Sequence, residues 1–417
     1  MTLTKIKTLS ITDYINILMV IFVFIFPISA KKVYPLLILL IVLWIFENNW
    51  RDKIQKLLQI KSFVYYMIFI VFLGMSLSWS DSIYGGFIKH YPSNGIYEYF
   101  KMYFTCFLLI PIFITSVQEK YIKYIISAFL SAMFISEIVS WGIFLDILHI
   151  SGKSSNDPSP FMHHSLYSVF LAITFFVLVT EYFKTTDLRL KIFIVFFATS
   201  ALVNLFLNGG RLGQIAFMLG AFVYVFARYK ITIKTFLITI VSISAIVGSA
   251  YFISPIFQQR ANTTINSVKK LYNGQYNTSW GVRVYALKVA KDIVYKHPLL
   301  GVGIGNAKES FIEESKQHKY GYLVKRLWHM HNQYMQILLE SGLVGLGLFF
   351  IFIFQLLKLQ LARHYKILLY TFVAVYMFGF IGEPLFWNRQ PFILFNLFVG
   401  FFIYQSVLYR RSLEKTT

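Results

Sequence analysis

Residues 254–333 are a long polar stretch that decides how the rest of the chain is organised. Their sequence is SPIFQQRANTTINSVKKLYNGQYNTSWGVRVYALKVAKDIVYKHPLLGVGIGNAKESFIEESKQHKYGYLVKRLWHMHNQ. This 80-residue stretch carries 12 Lys and Arg against four Asp and Glu, inside a chain that is otherwise strongly apolar. It ends in His331-Asn332-Gln333, and nine residues separate Asn332 from Gly342.

Apolar segments long enough to cross a bilayer occupy most of the remaining chain. The composition is 57% hydrophobic and 14% charged, whereas soluble domains are about one quarter charged. A helix needs about 20 residues to cross a hydrocarbon core of roughly 30 Å. The predicted crossing segments are 13–30, 33–48, 62–80, 98–117, 124–148, 163–181, 192–208, 212–227, 235–253, 334–357, 367–387 and 391–408. The predicted fold is an all-α polytopic membrane protein with about twelve transmembrane helices and one large helical loop outside the membrane.

The basic residues of the short loops predict how the chain is oriented. Alternate loops hold 20 Lys and Arg on one side and six on the other. Because short cytoplasmic loops are rich in Lys and Arg, both termini are predicted to be cytoplasmic and residues 254–333 to lie outside. Only Lys31-Lys32 conflicts with this orientation, because it places two positive charges in a loop that is predicted to lie outside. The predicted organisation is helices 1–9 in 1–253, an outer loop domain in 254–333, and helices 10–12 with a cytoplasmic tail in 334–417.

The net charge of +21 does not indicate nucleic-acid binding, because 20 positive residues lie in the loops that set orientation. The eight net positive charges of residues 254–333 favour phosphate-bearing lipids as partners. Cys106 is the only cysteine, so no disulfide within the chain is available. The chain shows no internal repeat of the kind common in secondary transporters. Two further polar loops are predicted outside, at 81–97 and 150–162.

The segment 280–296 has the periodicity of an amphipathic helix. Its predicted apolar face, which would lie on the membrane or on neighbouring helices, consists of Trp280, Val284, Leu287 and Val294. His297-Pro298 ends this helix, and the glycines at 301, 303 and 305 predict a turn. Their spacing does not match a dinucleotide-binding motif, and no strand precedes them.

His331 is the first candidate for chemistry. Asn332 is a suitable N-cap for a helix beginning at Gln333, which places His331 at the outer surface of the membrane. A neutral imidazole there is able to take a proton from a sugar hydroxyl near neutral pH. The alternative is an interfacial histidine that only closes the loop. His329 would pair with it as a metal ligand, but the sequence places no further ligands nearby, so neither a metal nor a cofactor is predicted.

Two arginines are candidates for binding phosphate. Arg211 follows Asn208-Gly209-Gly210 in a very short turn between two predicted membrane helices, where the glycines would let a phosphate approach the backbone. Arg283 lies near the start of the helix predicted over 280–296, where its charge adds to the positive end of the helix. Arginine binds phosphate in a fixed, forked geometry. The alternative for both side chains is contact with lipid headgroups.

Histidines and carboxylates near the predicted outer surface are supporting candidates. His163 and His164 open the sixth predicted span, where they would contact sugar or phosphate or would simply be interfacial. Glu340 and Glu383 lie toward the outer ends of their spans, where bridging to a catalytic Arg or His is expected. Glu137 lies inside the fifth span and is interpreted as structural.

The sequence lacks the motifs of several common enzyme classes. The chain contains no Asp-x-Asp, no Gly-x-Ser-x-Gly and no Walker loop. The absence of these motifs is consistent with a metal-free transfer that is driven by a good diphosphate leaving group.

The order and spacing of these motifs resemble the O-antigen ligase family over most of the chain. The carrying features are the twelve spans, one large late loop, and the pattern His329-x-His331-Asn-Gln-Tyr…Glu340-Ser-Gly342-Leu-x-Gly345. Further matching motifs are Gly-Gly-Arg211-Leu-Gly, Arg283 ahead of its helix, Pro298-Leu-Leu-Gly301-x-Gly303 and Phe161-Met-His163-His164-Ser165.

The resemblance implies a GT-C-like, metal-independent, inverting glycosyltransferase of the bacterial inner membrane. Such an enzyme transfers O-antigen polysaccharide from undecaprenyl diphosphate to a sugar hydroxyl of the lipid A core on the periplasmic face, in lipopolysaccharide biosynthesis. Residues 254–333 would then be the periplasmic catalytic loop. The implied roles are diphosphate binding for Arg211 and Arg283, catalysis for His331, and support for His329, Asn332, His163, His164, Glu340 and Glu383.

Relatives with other acceptors remain alternatives. O-antigen polymerases and protein O-oligosaccharyltransferases share the loop motif and the donor. A polysaccharide or lipid transporter is less favoured, because repeats are lacking and the site-like residues lie on one face. The expected partners are the undecaprenyl-diphosphate-linked glycan, the lipid A core and membrane lipids, and nucleic acid is not among them.

Overall fold

The computed structural model describes residues 9–29, 31–80, 99–325, 327 and 329–414. Helices dominate this part of the chain, and within it the only β-pairing is an isolated bridge between Ser154 and Asp157. The polar loop predicted at 81–97 lies outside the described residues.

The helices are labelled here in chain order. They are α1 (Ile11–Ile25), α2 (Val33–Phe46), α3 (Trp50–Leu58), α4 (Lys61–Met75), α5 (Tyr99–Ser116), α6 (Glu119–Phe144), α7 (His164–Lys184), α8 (Leu188–Leu207), α9 (Arg211–Arg228), α10 (Ile233–Ile253), α11 (Pro255–Tyr272), α12 (Ser279–Lys296), α13 (Ala307–Lys316), α14 (Gly321–Val324), α15 (Gln333–Leu357), α16 (Arg363–Gly382) and α17 (Arg389–Glu414). Short 3₁₀ turns follow α4 at Ser76–Trp79 and precede α17 at Leu385–Trp387.

The described helices confirm the predicted all-α, multi-pass membrane fold. Ten of them are long and apolar enough to cross a membrane, and an eleventh crossing is obtained if α2 and α3, which meet at 110°, form one broken span. The predicted count of about twelve also includes α1, which is apolar but has only 15 residues. α2 is short because the chain turns at Asn49, which has a left-handed φ of 71°.

The membrane helices pack around an aromatic core. α9 packs against α7 and α16, α15 against α4, and α17 against α5. Phe372 and Phe398 stack with ring centroids 5.0 Å apart, and both side chains are buried. Such ring pairs contribute stability beyond the area that they bury. α17 is mostly buried in this core, whereas α10 is mostly exposed on its periphery.

Residues between α10 and α15 form a helical layer with its own apolar core. Val289, Ala290, Phe311 and Val324 are buried there, and Leu339 of α15 joins them. The layer is therefore fixed to the first turns of α15, which carry His331 at their start.

The predicted amphipathic helix is present as α12, and the side chains that it buries against other helices differ from the four of the predicted apolar face. The buried side chains are Tyr285, Ala286, Val289, Ala290 and Ile293, and the predicted face of Trp280, Val284, Leu287 and Val294 is only partly buried. The difference arises because α12 packs against α11, α13 and α15. Small residues on the buried face allow the close approach of these neighbours.

A break in α15 joins the outer layer to the membrane helices. Gly342 has φ 63° and ψ −163°, which are not helical values. The glycine-rich turn predicted after α12 docks against this break. The N–H of Leu343 donates to the carbonyl of Pro298 at 2.9 Å, and the N–H of Val302 donates to the carbonyl of Leu339 at 2.8 Å.

Glycine is required on both sides of this contact. A Cβ atom at Gly342 would lie 2.2 Å from the carbonyl oxygen of Leu299, and one at Gly301 would lie 2.4 Å from that of Leu339. Both glycines also have positive φ, which other residues rarely adopt.

Lys31-Lys32, the pair that conflicts with the predicted orientation, lies at the same end of the helix bundle as the outer layer. Tyr34, two residues further on, faces the guanidinium of Arg389, which is 3.8 Å from the ring centroid. Arg389 begins α17 only six residues after Glu383, and Glu383 contacts Arg283 of α12. The contacts therefore group this pair with the loops that are predicted to be outside.

Orientation across the membrane is a prediction that cysteine labelling tests. In a Cys106→Ala background, Asn273→Cys should react with an impermeant thiol reagent in cells whose outer membrane alone is permeabilised, and Ser412→Cys should not. The reason is the 20-to-6 distribution of basic loop residues. Labelling of Ser412→Cys without labelling of Asn273→Cys would invert the topology.

Candidate active site

His331 lies at the start of α15 in a fixed backbone conformation. The predicted N-cap is confirmed, because the Asn332 side chain accepts a hydrogen bond from the N–H of Met335 at 2.9 Å. The Asn332 amide also donates to the carbonyl of Ile381 at 3.1 Å. His331 has a φ of 48°, unusual for a residue other than glycine. These constraints hold the imidazole beside the end of α16.

Glu383 is the residue around which the site is assembled. Its carboxylate follows the last turn of α16 and is largely buried. The Nδ1 atom of His331 lies 3.0 Å from one carboxylate oxygen, and the Arg283 guanidinium lies 3.8 Å from the same oxygen. The other oxygen lies 3.5 Å from Nε2 of His329. The structure thus brings together four of the residues singled out in the sequence.

The carboxylate and His329 have shifted pKa values. Burial by itself would raise the pKa of Glu383, but the hydrogen bond with His331 and the charges of His329, His331 and Arg283 lower it below its usual range. Burial lowers the pKa of His329 to about 4, aided by the charges of His331 and Arg283 against that of Glu383. Near neutral pH, Glu383 is therefore charged and His329 is neutral.

The hydrogen bonds assign the tautomers of both histidines. The backbone N–H of His331 donates to Nδ1 of His329 at 3.2 Å, so the His329 proton is on Nε2. With Glu383 ionised, Nδ1 of His331 donates to it, so Nε2 is the unprotonated nitrogen in the neutral form of this imidazole. A carboxylate that holds one ring nitrogen and frees the other is the arrangement that orients a general base.

Arg211 lies at the start of α9, within electrostatic reach of Arg283. It is the first residue of this helix, directly after the glycine turn, and the hydroxyl of Ser168 accepts from the N–H of Gly213 in the first turn of the helix at 3.0 Å. Its guanidinium donates to the hydroxyl of Thr264 in α11 at 2.5 Å. The positive end of α9 and two arginines consequently form an anion-binding surface.

His163 and His164 have different surroundings. Their rings lie 3.9 Å apart. His163 caps α7 by accepting from the N–H of Ser165, and the charge of Glu383 reaches it. His164 instead faces Asp157 of the 150–162 loop, at 3.6 Å. His163 is therefore at the edge of the site, while His164 belongs to the neighbouring loop.

The other two glutamates lie elsewhere in the bundle. Glu340 is buried, and its carboxylate accepts from Tyr103, Gln336 and Trp387 at 3.1, 2.7 and 3.0 Å. Glu137 is buried in α6 and accepts from Ser200. The described contacts of both are those of structural hydrogen-bonding groups.

Sequence patterns missed Arg260, which lies in α11 one turn before Thr264. Its guanidinium lies against Gly209 in the turn before Arg211. The only signal in the sequence was its place in the basic 254–333 stretch, which holds 11 other Lys and Arg residues and so does not single it out.

A metal ligand set is present that the sequence did not indicate. Ligand atoms of His329, His331 and Glu383 lie within 4.8 Å of one another, because the fold brings Glu383 to the two histidines. Arg283 lies 3.8 Å from the carboxylate oxygen that also contacts His331. A guanidinium at this position repels a divalent ion. Metal independence therefore stays a prediction, and Arg283 is now its physical basis.

Chelation tests this prediction directly. Transfer by the purified protein from a lipid-linked donor is expected to continue in EDTA, because Arg283 already supplies the positive charge beside Glu383. The measurement is the transfer rate before and after chelation, with zinc or magnesium added back. Loss of turnover on chelation, with recovery on adding an ion, would assign His329, His331 and Glu383 as metal ligands instead.

The fold and site define a multi-pass membrane protein with a histidine, a carboxylate and arginines gathered beneath a basic outer layer. Residues 192–350 match the family described as O-antigen ligase. This match spans α8 to α15 and contains Arg211, Arg283 and His331. It covers less than half of the chain and confirms, over those residues, the resemblance seen in the sequence.

Similar proteins occur in Rickettsia under the description of candidate polysaccharide ligases. The chain is 28% identical to one from Rickettsia prowazekii over 148 residues, which is 34% of each chain. It is 28% identical to one from Rickettsia typhi over 206 residues, 47% of each chain, and 25% identical to one from Rickettsia conorii over 178 residues, 40% of each. The matched segments thus span between a third and a half of the length of these relatives.

Proposed function

We propose that this protein is a metal-independent, inverting glycosyltransferase that moves a glycan from undecaprenyl diphosphate to a sugar hydroxyl of the lipid A core. The observation that carries the proposal is the contact chain from Arg283 through Glu383 to His331, at 3.8 and 3.0 Å. It combines a phosphate-binding cation with an oriented base. The location proposed is the bacterial inner membrane, with both termini cytoplasmic and the site facing the periplasm.

His331 is assigned the acceptor side of the reaction. Its Nε2 atom takes the proton of the acceptor hydroxyl while the hydroxyl oxygen attacks the anomeric carbon of the donor sugar. Glu383 keeps the proton on Nδ1 and stabilises the imidazolium that forms. Attack from the face opposite the diphosphate inverts the anomeric centre.

Arg211 and Arg283 are assigned the leaving-group side. The bond between the anomeric carbon and the diphosphate oxygen breaks, and its electron pair leaves with undecaprenyl diphosphate. Charge therefore grows on the diphosphate as the reaction proceeds, and fixed cations that face it stabilise the transition state more than the ground state. The positive end of the α9 helix dipole adds to this effect.

The acceptor separates this function from its alternatives. A polymerase would join glycan repeats to one another, and a protein O-oligosaccharyltransferase would use a hydroxyl on a polypeptide. The ligase assignment draws support from the family description of the matched segment and from the descriptions of the rickettsial relatives.

A deletion strain tests the assignment, with silver-stained lipopolysaccharide gels as the measurement. Loss of the gene is expected to leave lipid-linked polymer that never reaches lipid A, and the wild-type gene, but not one carrying His331→Ala, should restore the ladder. Lipid A core bearing single repeats would instead indicate a polymerase. Trapping of the intermediate on the cytoplasmic side would indicate a transporter.

A further inference from the structure

One face of α11 carries Arg260 and contacts the side chain of Arg211, which begins α9. The Nε and Nη2 atoms of Arg260 both lie 3.0 Å from where a Cβ atom at Gly209 would be, so the guanidinium rests on the turn that leads into Arg211. Thr264, one helical turn after Arg260, accepts the hydrogen bond from Arg211. Positions four residues apart share a helix face. α11 therefore contacts the turn at Gly209 through Arg260 and the guanidinium of Arg211 through Thr264.

The positive charge of Arg211, Arg260 and Arg283 exceeds the negative charge that lies near them. Arg260 and Arg283 both act electrostatically on Arg211. Within the described ranges, the single ion pair of these arginines is that of Arg283 with Glu383 at 3.8 Å. Three guanidinium groups and one carboxylate give a net charge of +2, with the histidines counted as neutral. Gathering like charges in a half-buried site is costly unless a counter-ion binds there.

We propose that Arg260 binds the diphosphate of the lipid-linked donor together with Arg211 and Arg283, and thereby favours diphosphate over monophosphate lipids. The inference rests on the proposed function for the identity of the lipid. A diphosphate that joins a lipid to a sugar carries two negative charges, which balance the +2 of the cluster. A lipid monophosphate linked to a sugar carries one. The third arginine is thus the one that a monophosphate would leave uncompensated.

Binding of two sugar-linked lipids, one joined through a diphosphate and one through a monophosphate of undecaprenol, to the purified full-length protein tests this inference. Arg260→Ala is expected to weaken binding of the diphosphate lipid by about 10- to 100-fold, the usual size of one charged hydrogen-bonding contact. Binding of the monophosphate lipid should weaken much less, so the preference for diphosphate falls. Arg260→Lys should restore part of the preference, because it returns the charge without the forked geometry.

Lys270→Ala is the matched control, since Lys270 is an exposed cation on the same helix, away from the glycine turn. It should leave both affinities unchanged. Unaltered affinities in Arg260→Ala would overturn the inference. So would equal losses for both lipids with a lowered unfolding temperature and no recovery in Arg260→Lys, since that pattern describes a structural residue.

The binding assay also separates this inference from the proposed function. If the wild-type protein binds the diphosphate lipid through Arg260 but transfers no glycan to the lipid A core, the assignment of Arg260 stands and the ligase function falls. If transfer occurs and Arg260→Ala binds both lipids normally, the function stands and the assignment of Arg260 falls.

Discussion

Replacing His331 by Ala is expected to abolish glycan transfer while donor binding stays close to wild type. Nε2 of His331 is the nitrogen left free by Glu383, so the variant loses the group that accepts the hydroxyl proton. Positioned general bases contribute about 10²–10⁴-fold to rate. The measurement is transfer from purified lipid-linked donor, alongside donor affinity measured without acceptor.

The neighbouring histidine provides the control for this variant. His329→Ala is expected to be milder, because burial lowers the pKa of His329 to about 4 and its Nδ1 atom already accepts from the His331 backbone. All variants must reach the membrane at normal level, since a folding defect imitates a catalytic one. If correctly inserted His331→Ala decorates lipid A at nearly the wild-type rate, His331 is only a residue that closes the loop.

Replacing Arg211 or Arg283 by Ala is expected to cost about 2–4 kcal/mol of transition-state stabilisation, the range for removing one charge-stabilising donor. In the proposed reaction both guanidinium groups face the leaving diphosphate, one from the start of α9 and one from α12. Lys should rescue each variant only partly, because it lacks the bidentate fork. The measurement is the transfer rate at saturating acceptor over a range of donor concentrations. Wild-type kinetics in either Ala variant would remove that arginine from the site.

The two arginine variants should differ in their pH dependence. Arg283 is one of the charges that hold the pKa of Glu383 below its usual range, whereas Arg211 bonds to Thr264. Without Arg283, Glu383 takes up a proton at higher pH and ceases to orient His331. The acid limb of the rate–pH profile should therefore move to higher pH in Arg283→Ala and stay in place in Arg211→Ala. An acid limb that does not move in either variant would separate Glu383 from catalysis.

Local sequence patterns were sufficient for the helices and for the cap of α15. Runs of apolar residues gave the crossing segments, and a capping side chain next to a helix start gave Asn332. They were not sufficient for the buried face of α12, because that face is chosen by helices that arrive from elsewhere in the chain. Periodicity shows that a helix has two faces, but not which neighbour each one meets.

Long-range contacts explain the rest of what the sequence left open. Glu340 and Glu383 looked alike, since both are carboxylates near the outer ends of apolar segments. In the fold, Glu383 meets His331 from 52 residues away, whereas Glu340 turns toward Tyr103 from 237 residues away. The sequence alone does not distinguish Arg260 from the other basic residues of its stretch. Its contact with the turn at Gly209 is visible only in the folded chain.

The break at Gly342 is where the outer layer is fastened to α15. The turn after α12 forms backbone hydrogen bonds on both sides of the break, with Leu339 before it and with Leu343 and Val344 after it. A change in bilayer thickness tilts or shifts the helices that cross it. Because the turn is bonded on both sides of Gly342, the layer that carries Arg283 is expected to follow such a movement of α15. The spacing between Arg283 and His331, which precedes α15, would then depend little on the thickness of the membrane.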